Sequence, residues 1–279
     1  MTSIPLQAQL TLRQSYAFMA RNFHLIKRYW AWEIVWITYA TVNSLAVTFI
    51  AEGSTTVAGT STDSVSRFTL FLLIGTLVWH YMSVIFTFVS EVIQWERWEG
   101  TIEYTLMAPV NRWIHLIGQT LFSIVYSLLT TILIGIVMTL FFNIDLSEAN
   151  LLGALVLLIV GSLSLIGISI FSSILPLLYP ERGAQMTHII QAMFLLVSGI
   201  YYPIEVLPNW MQFLSRLSPV TYVLDGIRAA LMDGAGFDQI GGLMFPLLLS
   251  AVIFVPFGVW TFQQAENYAK RTGKLKRVG

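Results

Sequence analysis

Apolar residues run in six blocks along this chain, at about 31–51, 68–90, 114–142, 151–178, 184–203 and 243–262. A helix needs about 20 apolar residues to cross a bilayer core of roughly 30 Å. The pattern therefore predicts an all-α, polytopic protein with six transmembrane helices. The fifth block is the most diluted, by Gln185, Thr187, His188 and Gln191.

The polar segments between the blocks differ from one another. Residues 6–30 carry Leu12, Tyr16, Met19, Phe23, Ile26 and Trp30 along one helical line, with Gln7, Gln14, Arg21 and Arg28 opposite. An apolar, aromatic stripe facing a basic polar face predicts a helix lying in the membrane interface. Residues 1–30 are thus separated from a six-helix transmembrane domain at 31–279. Residues 52–67 and 143–150 read as polar loops, and Tyr179–Gly183 as a tight turn. The segment Glu91–Arg112 has helical periodicity, a glycine break at Gly100 and a proline stop at Pro109. Residues 204–233 contain two short amphipathic patterns. Trp210, Phe213, Leu214 and Leu217 share one face, and Val223, Leu224, Ile227 and Leu231 another. Helices of about ten residues cannot span, so this pair is expected to be re-entrant or interfacial.

Composition agrees with the pattern. The 279 residues are 56% hydrophobic and only 11% charged, against about a quarter charged in soluble domains. A net charge of zero argues against a nucleic-acid partner. Without cysteine there is no disulfide and no thiolate metal site. The first apolar block starts too late and runs too long for a secretory signal, so none is expected.

Basic residues orient the spans. With the N-terminus inside, twelve of the 15 Lys and Arg residues fall on the cytoplasmic side: Arg13, Arg21, Lys27, Arg28, Arg97, Arg112, Arg182, Lys270, Arg271, Lys274, Lys276 and Arg277. Only Arg67, Arg216 and Arg228 fall outside. Both termini and Glu91–Arg112 are therefore expected in the cytoplasm, and 204–233 on the outer side. The basic tail from Lys270 is suited to anionic inner-leaflet lipid.

Polar groups inside spans are candidates for a translocation path, because burying them in hydrocarbon costs free energy. His80 lies mid-way along the second block. Gln119 and Ser123, with Ser127 and Thr130, share a face of the third. His188, Gln191 and Ser198 mark the fifth. Ser162, Ser169 and Ser173 follow one another in the fourth. Small polar residues also pack membrane helices together, so each of these groups has a structural reading as well. Glu33 sits at the inner mouth of the first block, and no carboxylate sits mid-span, which weakens a proton-coupled carrier. No metalloprotease, nucleophile-elbow or Walker A motif is present. No catalytic, cofactor or metal site is expected in this chain, and an ATP-driven role requires a second chain to bind the nucleotide.

The inner stretch Glu96-Arg97-Trp98-Glu99-Gly100-Thr101-Ile102-Glu103, followed by Pro109 and Arg112, resembles the charged segment of ABC type-2 exporter permeases. So does the outer stretch Ser198-Gly199-Ile200-Tyr201-Tyr202-Pro203, continued by Leu207-Pro208-Asn209-Trp210, Leu217-Ser218-Pro219-Val220-Thr221-Tyr222 and Asp225-Gly226-Ile227-Arg228. The order of elements matches over nearly the whole chain, and Glu99 departs from a position that is often basic in the family. The resemblance implies a permease subunit in the plasma membrane that pairs with a second permease subunit, as homodimer or heterodimer. Each subunit docks on a nucleotide-binding ATPase chain, which holds ATP and Mg. It implies a cytoplasmic coupling helix at about 95–107, with Trp95, Glu96, Arg97, Trp98, Glu99, Gly100, Thr101, Glu103, Tyr104 and Met107 facing the ATPase. Glu181 and Arg182 would form a second contact. Tyr201, Tyr202, Trp210, Tyr222, Asp225 and Arg228 are outer-gate candidates. The expected cargo is a lipid-like or drug-like amphiphile, with a lipid-linked glycan as the alternative. An ATP-independent channel or carrier and an intramembrane enzyme are the readings of other classes.

Overall fold

The computed structural model describes residues 6–58, 62–107, 110, 112–144, 146–179 and 182–273. Among them the chain is helical, without strands. An interfacial-length helix α1 (Leu6–Arg28) leads into α2 (Trp30–Ala58), and α3 (Thr62–Ser90) follows. Two short helices, α4 (Val92–Trp98) and α5 (Ile102–Met107), precede α6 (Arg112–Phe142). Next come α7 (Leu151–Ser172), α8 (Ile174–Leu178) and α9 (Gly183–Val197). The chain closes with α10 (Asn209–Leu217), α11 (Pro219–Met232) and the long α12 (Phe237–Arg271).

Five helical stretches are long and apolar enough to cross a bilayer: Trp30–Gly53, Ser66–Ser90, Ile114–Phe142, Leu151–Leu178 and Phe237–Arg271. The fifth apolar block does not form a sixth of that kind. Its helix α9 has 15 residues, about 22 Å at 1.5 Å per residue, short of a bilayer core. The helix stops because Ser198 leaves helical geometry and Gly199 turns at φ +71°, a conformation glycine adopts without a Cβ clash. The segment 52–67 is also more helical than a loop, since α2 runs to Ala58 and α3 starts at Thr62.

Lipid tails give helices no hydrophobic reason to associate, so close approach of small residues and interhelical hydrogen bonds hold them. The core lies among α3, α7, α11 and α12, around Tyr81, Met82, Ile85, Leu157, Val223, Leu224, Leu247 and Phe262. Gly161 receives Val223 of α11, and Gly167 meets the α12 backbone at Phe254 and Gly258. Ser164 donates to the Leu247 carbonyl across that contact at 2.7 Å. The α6–α7 turn is anchored by Asn150, which caps α7 at Gly153 N and donates to the Ala235 carbonyl, both at 2.8 Å.

Helix α1 is arranged inside out relative to a helix in water. Leu12, Tyr16, Phe23 and Trp30 of the predicted stripe are exposed, and Ser15 and Asn22 of the polar side are buried. That polar side packs on α6 at Gly118, where a Cβ would collide with Phe18 and the Ser15 carbonyl. Apolar groups thus lie on the open surface and polar groups find partners within the protein, an arrangement suited to a membrane surface.

Candidate functional site

The charged segment 91–107 is built as two short helices on a glycine pivot. Gly100 has φ +72°. Its N–H donates to the Arg97 carbonyl at 3.1 Å, and the Thr101 N–H to the Glu96 carbonyl at 2.8 Å. These two bonds form a Schellman cap, which satisfies carbonyls that a helix end leaves open. The Gly-Thr pair therefore ends α4 sharply. Thr105 N–H then bonds to the Thr101 carbonyl at 3.1 Å as α5 begins.

The side chains on this element divide into two sets. Trp98, Tyr104 and Met107 are exposed by 82%, 78% and 77%, and Trp95 by 53%. Glu99 is exposed beside them. Trp95 and Trp98 meet edge to face with centroids 5.6 Å apart. A row of exposed aromatic and Met side chains between two candidate spans is suited to anchoring a protein partner.

Glu96 and Arg97 do not belong to that row, which corrects the expectation that they face the ATPase. Both are buried. Glu96 Oε1 lies 2.9 Å from Arg21 Nη2 of α1 and 3.0 Å from His115 Nε2 of α6. Burial by itself pushes the Glu96 carboxyl up, yet His115 and Arg21 outweigh it and hold it below the usual carboxylate range. Arg97 Nη2 donates to the Leu177 carbonyl of α8 at 2.9 Å, and burial lowers its guanidinium. The side chain of Glu103 and the whole of Glu181 lie outside the described residues, and Arg182 is exposed at the start of α9.

Glu91 marks the bend between α3 and α4, with φ −98° and ψ 2°. Its carboxylate lies 3.6 Å from His188 Nε2 of α9. Burial pushes it up, and His188 opposes this in part. Gln191 reaches from α9 to the Ser83 carbonyl at 3.0 Å and Thr87 Oγ1 at 2.8 Å.

The polar residues proposed for a path do not line one surface. Gln119 and Ser123 are buried, and Gln119 joins three helices. It accepts from Asn22 Nδ2 of α1 at 2.5 Å and donates to the Phe88 carbonyl of α3 at 3.1 Å. Half-buried His80 meets Thr130 at 3.3 Å. His188 stands exposed in the N-terminal half of α9, and Ser198 is buried at its C-terminal end, 2.8 Å from Ser218. Gln119, His80 and Ser198 thus bond to other elements, whereas Ser123 bonds back to the Thr120 carbonyl of its own helix.

The C-terminal end of α9 is closed by side chains. Ser215 of α10 donates to the Val197 carbonyl and Tyr202 to the Leu196 carbonyl. Arg228 of α11 donates to Gly199 O at 3.0 Å and Ile200 O at 2.8 Å. Carbonyls left open where a helix ends need partners, and Tyr202, α10 and α11 supply them here. Tyr222 likewise bonds to the Arg216 carbonyl at 2.7 Å. Asp225 and Trp210 are exposed, and Tyr201 is partly covered.

Arg21, Asn22 and His115 escaped the sequence reading as site residues. The only available signal was their polarity next to apolar runs. Glu33 was noticed but not its partner, the Tyr126 hydroxyl of α6.

Comparison with known proteins follows the same outline. The family model described as ABC-2 type transporter matches residues 13–232. Two curated relatives, each called "Probable multidrug ABC transporter permease YbhR", come from Escherichia coli strain K12 and E. coli O157:H7. Each is 24% identical over 155 residues, which cover 55% of this chain and 41% of the relative. The match thus spans about two fifths of those relatives' length.

Proposed function

Because this chain belongs to the ABC-2 type transporter family, we propose that it exports a lipid-like or drug-like amphiphile with ATP hydrolysed on a separate chain. It is a multi-pass membrane subunit of an ABC transporter. The direction of transport, the cargo, the cytoplasmic termini and the pairing of two permease subunits are parts of the proposal.

The exposed row Trp95, Trp98, Glu99, Tyr104 and Met107 carries the reading. The basic-residue bias puts it in the cytoplasm, where an ATPase closing on nucleotide would push against it. α9 is proposed to complete a sixth crossing with the capped turn Ser198–Tyr202, which keeps both termini inside. The relatives' description as probable multidrug permeases supports an amphiphilic cargo over a glycan.

The test is co-purification with the ATPase, followed by reconstitution in lipid vesicles with a fluorescent cationic amphiphile as probe. Movement of the dye that depends on hydrolysable ATP is the expected result. Failure to retain an ATPase, or dye movement without nucleotide, overturns the proposal.

A further inference from the structure

Helix α4 has seven residues between the bend at Glu91 and the left-handed Gly100. Its backbone gives it little leverage on the spans, because force applied beyond either break is absorbed by rotation there. Side chains fix it instead. The Glu96 carboxylate reaches Arg21 of α1 and His115 of α6 with one oxygen, at 2.9 Å and 3.0 Å. Arg97 reaches the last turn of α8 through the Leu177 carbonyl at 2.9 Å. Asn22, next to Arg21, ties α1 to Gln119 of α6, one turn beyond His115. The carboxylate and His115 are both almost fully buried, with side chains 3% and 2% exposed.

We propose that Glu96 is a positioning residue that joins α4, α1 and α6 into one rigid block, so that a load on α4 moves all three helices together. This rests on the reading of α4–α5 as the ATPase contact. It assigns α1 a share in transmission beyond its place in the membrane interface. In a low-dielectric site a carboxylate between two cationic or donor groups holds its geometry, because each alternative leaves a charge without its partner.

The natural chain has no cysteine, so paired cysteines can be introduced for spin labels without removing any. One pair replaces Leu12 on α1 and Gln94 on α4. A reference pair replaces Gln94 and Tyr268 at the inner end of α12. Distances are measured by pulsed electron resonance on the chain alone, and on its complex with the ATPase, nucleotide-free and vanadate-trapped. Expected for the chain alone is a single narrow α1–α4 distance, lost in Glu96→Gln and restored in the charge swap Arg21→Glu with Glu96→Arg. Expected for the complex is an unchanged α1–α4 distance on trapping while the reference distance shifts. An α1–α4 distance that shifts on trapping, or a Glu96→Gln distribution as narrow as the natural one, overturns the proposal. If neither pair responds to nucleotide while the clamp measured on the chain alone persists, the ATPase-contact reading has failed, and with it the transmission role, but not the clamp.

Discussion

The guanidinium of Arg228 lies over the ring of Phe71, its carbon 3.5 Å from the ring centroid, while two of its nitrogens hold the Gly199 and Ile200 carbonyls. One side chain of α11 thus fixes the end of α9 and covers α3. A lysine cannot donate in this fork geometry. Arg228→Lys is expected to cost about 2 kcal/mol, from hydrogen bonds made by a charged group and a partly desolvated cation–π contact. Thermal unfolding in detergent checks this, and an unchanged midpoint would show that the turn does not depend on the fork.

Gly75 of α3 lies beneath the same turn. A Cβ there overlaps the Ile200 carbonyl oxygen, with Arg228 Nη2 3.2 Å away. Gly75→Ala is expected to destabilise by about 1–3 kcal/mol through overpacking. Its effect should be less than additive with Arg228→Lys, because both changes displace one turn. A double-mutant cycle on melting midpoints reads the coupling.

At the pivot between α4 and α5, Gly100→Ala forces a Cβ onto a backbone at φ +72°, which costs about 1 kcal/mol or more. The fold should survive while α5 changes its angle to α4. ATP-dependent dye movement is expected to fall more than co-purified ATPase does. Equal loss of both would make Gly100 a matter of assembly only.

Trp98→Ala removes an exposed side chain and should leave the melting midpoint of the isolated chain in place. Its expected cost is in docking, where aromatic anchors contribute about 2 kcal/mol or more, roughly 30-fold in affinity for the ATPase. The double variant Glu99→Lys with Glu103→Lys is expected to uncouple hydrolysis from transport. Unchanged transport in that variant would remove the segment from its proposed role.

Glu91 and Glu96 should respond to pH with opposite sign. Burial raises the Glu91 carboxyl in the folded state, so ionising it works against folding, and stability falls as pH rises from the ordinary value of 4.5 through the raised one. Glu96 is held low, so its contribution is present above the ordinary value and is lost as pH falls through the lowered one. Glu91→Gln should therefore raise the melting midpoint at neutral pH, whereas Glu96→Gln should lower it. Melting curves across pH in one detergent test both, and equal slopes for the two variants would contradict the assignment.

Much of the fold was legible because hydropathy alone decides what crosses a bilayer. Residues 68–90, 114–142 and 151–178 return as Ser66–Ser90, Ile114–Phe142 and Leu151–Leu178. The fifth block returns as a shorter helix, because Ile200, Tyr201 and Tyr202 extend the apolar run while Ser198 and Gly199 end the helix before them. The family resemblance named Trp95, Trp98, Tyr104 and Met107, and these are among the exposed side chains of the segment. The buried half was not legible, since Glu96 and Glu99 look alike on a helical wheel. What separates them is Arg21, 75 residues earlier in the chain, and a pairing at that distance leaves no periodicity to read.

The inside-out packing of α1 also has a consequence for biosynthesis. Asn22 waits for a partner 97 residues downstream, so at a synthesis rate of 5–20 residues per second it spends roughly 5–20 s without one. During that interval the nascent helix can lie on the bilayer by its Leu12, Tyr16 and Phe23 side. Its polar side stays open to water until α6 has been inserted. Closing α1 onto α6 is then a late step in maturation, and a chain stalled before it leaves Arg21 and Asn22 in view of cellular quality control.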